Sequence, residues 1–165
     1  MTQNNIPETA INPANARLTN ILSVLGLALT IIVLLVYWRQ MPAEIPTHYG
    51  ISGNPDGWGS KTSVLALPII SLCLFLLLTF LSRFPRFMNV PWKITEQNAQ
   101  QQYELMVSLL NWVKTIIVWM FGFITWKTCL ISLGLSKSLG SAFMAAPALL
   151  IVITIFYLLK MYKAR

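Results

Sequence analysis

Between Leu18 and Trp38 the chain runs 21 residues without a charged side chain. Wound as a helix at 1.5 Å per residue, that stretch is about 31 Å long, close to the thickness of a bilayer's hydrocarbon core. Further apolar stretches follow, and charged residues make up only 10% of the chain. A soluble domain carries about 25%. A chain so poor in charge cannot cover a water-facing surface, so lipid must serve as its solvent. The expected fold class is all-α: a polytopic integral membrane protein with about four transmembrane helices, at about 18–38, 64–82, 108–132 and 142–160. Residues 1–17 read as a polar tail and residues 18–165 as one membrane domain. Residues 39–63 form a short Pro/Gly-rich connection between the first two spans. A cleaved leader is the rival reading of the first span, but Tyr37-Trp38-Arg39-Gln40 lacks the small residues of a cleavage site. The span is therefore read as an uncleaved helix.

The formal net charge of +7 would suggest nucleic acid for a soluble domain. Here the basic residues sit mostly at the ends of apolar runs, where they orient a membrane protein. Arg17, Arg83, Arg86, Lys93, Lys160, Lys163 and Arg165 fall on one side. Arg39, Lys61 and Lys137 fall on the other, with Lys127 near it. This bias predicts a plasma-membrane protein with both termini cytoplasmic and the 39–63 loop outward. The bilayer is then the expected partner, and nucleic acid is not. Cys73 and Cys129 both lie inside apolar runs, without histidines at metal-ligand spacing, and suggest neither a disulfide framework nor a metal site.

Pro85 and Pro91 should break the chain after the second span. Thr95 then looks like a helix N-cap with Glu96 in its first turn. From there no proline interrupts the sequence up to Leu135, so the third helix is expected to begin outside the bilayer. Lys114 and Lys127 lie about 20 Å apart along it, a spacing that lets each snorkel toward an opposite interface. Trp112, Trp119 and Trp126 form one stripe. Glu104, Ser108, Asn111, Thr115, Gly122, Thr125 and Cys129 form another, and Ser23, Gly26 and Thr30 offer a shorter counterpart on the first helix. Small and polar residues on one face let helices approach closely and bond in lipid. Helix packing explains that stripe. A polar path or ligand groove using Asn111 and Lys114 is the functional alternative.

The loop is densely specified. Asn54-Pro55-Asp56-Gly57 has the residue preferences of a type I turn. Pro46 biases Ile45 toward an extended backbone. Ile45 to Tyr49 is expected to run out as a strand and the chain to return through Trp58, making a compact cap with Trp38 and Trp58 at headgroup level. His48 is the only histidine. With Glu44 and Asp56 it has the donor types of a zinc or acid–base site. Side-chain bonds bracing a turn explain His48 and Asp56 equally well. The expectation is loop architecture, with no catalytic residues, no metal and no cofactor.

Met41-Pro42-Ala43-Glu44-Ile45-Pro46-Thr47-His48 and Gly53-Asn54-Pro55-Asp56-Gly57-Trp58-Gly59-Ser60-Lys61 resemble the hallmark of the bacterial family called domain of unknown function 1648. Ile94-Thr95-Glu96-Gln97-Asn98-Ala99 resembles its longer members. The resemblance implies a multi-pass membrane protein. It marks Pro42, Ile45, Pro46, Thr47, His48, Gly53, Pro55, Asp56, Gly57, Trp58 and Lys61 as a structural or binding motif. The family is related to the immunity protein of the sporulation-delaying toxin system. The implied function is non-enzymatic: sensing of, or immunity to, envelope-active agents such as an extracellular peptide. The alternatives are an accessory subunit bound to other membrane proteins, or a small transporter.

Overall fold

A computed structural model describes residues 15–84 and 92–165. Most of the tail, together with Pro85, Arg86 and Pro91, lies outside the described residues. The chain forms α1 (Ala16–Tyr37), β1 (Glu44–Tyr49), β2 (Pro55–Ser60), α2 (Ala66–Leu81), α3 (Ala99–Ser132) and α4 (Ala145–Lys163). All four helical segments are long and apolar enough to cross a membrane, once the 3₁₀ turns leading into α2 and α4 are counted. The protein is thus a multi-pass, mainly helical membrane protein. The element added to an all-α reading is one antiparallel hairpin.

The lead-in turns have a local cause. Lys61–Leu65 and Ser141–Met144 are 3₁₀-helical. Pro68 and Pro147 follow as the third residue of α2 and α4. Proline has no N–H to donate four residues back, so it is tolerated only in a first turn. Each proline therefore sits in the first turn of its α-helix, just after the 3₁₀ lead-in.

α3 is the central element, with α1, α2 and α4 each packed on it. Its 34 residues make a rod of about 51 Å, longer than a bilayer core. Thr95 and Asn98 exchange hydrogen bonds at its start: the Asn98 amide donates to Thr95 Oγ1 (3.3 Å) and the Thr95 amide to Asn98 Oδ1 (2.8 Å). That pair closes a turn ahead of the helix: the N-cap is Asn98 and not Thr95, and continuous helix runs from Ala99. Among the described residues, this first part of α3 packs on α4 and on the segment leading into the helix. Ala99, Tyr103, Met106, Tyr157 and Met161 form a core there. Buried Gln102 accepts from Trp92 Nε1 (3.0 Å) and donates to the Met161 carbonyl (2.8 Å).

The α1–α3 contact uses the small and polar stripe. Thr19, Ser23, Gly26 and Thr30 of α1 are buried against it. Ser23 Oγ meets Thr115 Oγ1 at 2.9 Å, and Thr115 also donates to the Thr19 carbonyl at 3.2 Å. A Cβ placed on Gly26 would lie 2.9 Å from Val118 Cγ1, and one on Gly122 would lie 2.7 Å from Thr30 Oγ1. The backbones come this close because neither glycine has a side chain. Within the tryptophan stripe, Trp119 Nε1 donates to the Leu22 carbonyl at 3.1 Å. Trp119 and Trp126 are partly exposed on the outside of the bundle.

Candidate functional site

At the end of the bundle opposite the chain termini, the hairpin is docked on the helices by its own side chains. Ile45 is completely buried and joins Leu34, Met41, Val64 and Cys129 in one apolar cluster. Burying such a side chain is worth about 1.5–3 kcal/mol. Tyr49 reaches across to α3, its hydroxyl 2.7 Å from Thr128 Oγ1. Burial pushes the Tyr49 phenol above the ordinary tyrosine range, so it remains neutral. The Leu139 amide, in the α3–α4 connection, donates to the Gly53 carbonyl at 2.9 Å. At the hairpin's base Lys61 Nζ donates to the Met41 carbonyl (3.2 Å) and lies 4.7 Å from the centre of the Trp38 ring. The hairpin is therefore tied at its base, its middle and its tip.

The reversal does not occur at Asn54-Pro55-Asp56-Gly57. Those residues carry the start of β2, with Tyr49 opposite Pro55 and His48 opposite Gly57. The chain turns instead through Ile51, Ser52 and Gly53. The Gly50 amide bonds the Asn54 carbonyl (3.0 Å), and the Gly53 amide bonds the Gly50 carbonyl (2.8 Å). Gly53 has φ +76°, and its backbone faces Leu139 and Gly140 of the α3–α4 connection. A three-residue hairpin loop needs one left-handed residue, and glycine provides it without strain. The tip's tertiary bond selected this turn over the local preference of Asn-Pro-Asp-Gly.

Of the three candidate ligands, two meet. His48 Nδ1 hydrogen-bonds Asp56 Oδ1, with side-chain exposures of 73% and 51%. Glu44 pairs with Ser60 at the far end of the same strand, about 13 Å away at 3.3 Å per residue. No group of three potential metal ligands occurs among the described residues. The rest of the motif divides by role. Ile45 and Pro46 are buried beneath the hairpin, while Pro42, Thr47 and Trp58 are exposed. Gly57 and Gly59 face the opposite strand so closely that a Cβ would lie 2.9 Å from His48 Cβ and 3.1 Å from Thr47 Cγ2, respectively.

Between hairpin and bundle lies an open cleft of about 300 Å³. Val64, Leu67, Ile124, Leu139 and Phe143 supply its apolar lining. Thr47, His48, Tyr49 and Thr128 give it a polar side. Sequence reading missed Thr128, Leu139 and Phe143. They lie 67 or more residues beyond the motif's last residue, Lys61, and nothing local marks them as its partners.

The second candidate site corrects an expectation. Lys114 does not snorkel out of the bundle. It is 1% exposed, with its ammonium 2.6 Å from Asn20 Oδ1, 3.2 Å from Thr79 Oγ1 and 3.3 Å from Asn111 Oδ1. The lysine thus ties α1 and α2 to α3, because three neutral oxygens replace its hydration. Asn20 and Thr79 were also missed, although each is a polar residue about one turn inside an apolar run. Lys127 is half-buried and donates to Ser136 Oγ at 2.7 Å, bracing the turn that follows α3.

These features define a class: a multi-pass membrane protein whose first two helices are joined by a hairpin docked on the third. Residues 25–72, from the middle of α1 through the hairpin into α2, match the family described as a domain of unknown function (DUF1648). The match falls on the segment that builds the cap. It is also similar to an uncharacterized protein of Archaeoglobus fulgidus, 35% identical over 78 residues. The alignment covers 42% of this chain and 43% of that relative, so the match spans less than half of the relative's length. No solved structure matches.

Proposed function

We propose that the protein is a non-enzymatic receptor of the plasma membrane, with the hairpin and both loops of that end outward. It senses, or confers resistance to, envelope-active amphipathic agents. The observation that carries this reading is the open cleft, with its apolar floor and polar rim. Such a lining suits a ligand that is itself half apolar and half polar. The exposed Trp58 and the half-buried Trp38 flank the hairpin at a level suited to lipid headgroups.

The orientation is tested first. In a background lacking Cys73 and Cys129, Ser52→Cys should react with an impermeant thiol reagent in intact cells, and Gln97→Cys should not. The reverse pattern would invert the topology and remove the cleft from the outer face.

The function is tested by complementing a deletion strain challenged with envelope-active peptides. Ala66 lines the cleft from the first turn of α2 and is exposed. Ala66→Trp should fill the cleft and abolish protection while the protein level stays normal. Protection that survives a filled cleft sinks this reading.

A further inference from the structure

We infer that the end of the bundle nearest the termini holds an anionic phospholipid by its phosphate, in the groove between α1 and α2 over Lys114. A buried lysine with no acidic partner among the described residues is the starting point. Among the described residues the only salt bridge is His48–Asp56, at the opposite end. The nearest acid on the same helix, Glu104, is ten residues away, about 15 Å along the axis. Among the described residues no acid pairs with Lys114, so an anion bound close by would complement it.

The groups around it pass that charge outward. An ammonium only donates, so Asn20 and Asn111 must turn their carbonyl oxygens to Lys114 and their NH₂ groups away. Asn20 is exposed, and its amide nitrogen has no acceptor among the described residues. Its N–H bonds are therefore free for an acceptor in the groove. Two further cations lie nearer that end of the bundle. Arg17 lies three residues before Asn20 on α1, on the same helix face and about one turn nearer the end. Arg83 lies in the turn just past the end of α2, where its amide bonds the Phe80 carbonyl at 3.0 Å. Asn20 and Thr79 both touch one nitrogen, so their helices converge here. Arg17 and Arg83 are both exposed, and neither side chain has a hydrogen-bond or ion-pair partner among the described residues.

The apolar surroundings choose between a lipid and a free anion. Ile21 and Val24 of α1 and Leu76 and Phe80 of α2 are more than half exposed just beyond the polar cluster. A phosphodiester at the arginines would leave its acyl chains along these side chains. Basic pockets between transmembrane helices near an interface recognise anionic headgroups in this way. The site lies at the other end of the bundle from the cleft and does not depend on it.

The test is native mass spectrometry of the full chain released from nanodiscs of equal phosphatidylglycerol and phosphatidylcholine with matched acyl chains. Wild type should retain phosphatidylglycerol preferentially. Arg17→Gln with Arg83→Gln should reduce that retention about tenfold or more, given about a fivefold effect per basic residue near the surface. Lys160→Gln with Lys163→Gln removes the same charge from α4 and should leave retention largely in place. Circular dichroism and detergent melts confirm that each variant is folded. Equal retention of the two lipids by wild type would overturn the proposal, and so would an equal loss in both double variants. Displacement of the lipid by inorganic phosphate would assign the site to a free anion and overturn it as well.

Discussion

Gly122→Val should be the most damaging single substitution in the membrane-embedded part of the protein. A Cβ alone would lie 2.7 Å from Thr30 Oγ1. Thr30 is held in place, donating to the Gly26 carbonyl at 2.8 Å, so its hydroxyl cannot turn away without giving up that bond. Gly26 is itself pressed against Val118. The two helices must therefore separate. Separation also strains the Ser23–Thr115 contact at 2.9 Å and the Trp119 bond to the Leu22 carbonyl. Overpacking of this kind costs about 1–3 kcal/mol or more. The lost interhelical hydrogen bonds average about 0.6 kcal/mol each. A thermal melt in mild detergent should show a clear drop in midpoint and a lower yield of folded protein. A melt unchanged from wild type would mean that α1 does not pack on α3 through these glycines.

Gly57→Val should undo the cap while leaving the helices in place. Its Cβ would lie 2.9 Å from His48 Cβ, and the two further valine methyls need still more room, so the strands should not keep their register. A displaced β1 withdraws Ile45 from its cluster and Tyr49 from Thr128. The loss should be about 2–4 kcal/mol, the range for truncating or withdrawing a buried aliphatic side chain plus one hydrogen bond. Trp58 fluorescence should shift and protease sensitivity should appear within residues 39–63. His48→Gln is the paired control. Glutamine retains a donor and an acceptor but does not titrate near neutral pH, and the side chain it replaces is well exposed. It should leave both fold and phenotype intact. If His48→Gln abolishes protection at normal protein level while Gly57→Val preserves it, the cap is not a scaffold, and proton or metal chemistry at His48 takes its place.

Long-range order decides where each of these residues acts. Run length and charge poverty made four membrane-crossing helices unavoidable: no other element satisfies every backbone group within its own segment in lipid. The small and polar stripe on α3 was legible from its spacing, because helical periodicity fixes which residues share a face. The same rule picked out Ser23, Gly26 and Thr30 as its counterpart. The hairpin was legible in outline from Pro46 and the return through Trp58, since proline acts on the backbone beside it.

Tertiary structure decided the rest. Asn54-Pro55-Asp56-Gly57 has turn-forming residues, yet Pro55, Asp56 and Gly57 lie in β2, because Gly53 at φ +76° and its bond to Leu139 place the reversal earlier. A local preference of a few tenths of a kcal/mol yields to a hydrogen bond and a docked side chain worth more. Glu44 shares a strand with His48 but stands at its opposite end, so composition alone suggested a triad that strand geometry separates. Lys114 shows the limit most plainly. Its position on α3 follows from the sequence, but its environment comes from Asn20 and Thr79, 94 and 35 residues away. Spacing along one helix assigns a lysine to a face. Only the packing of α1 and α2 against that face determines whether its charge meets lipid, water or three waiting oxygens.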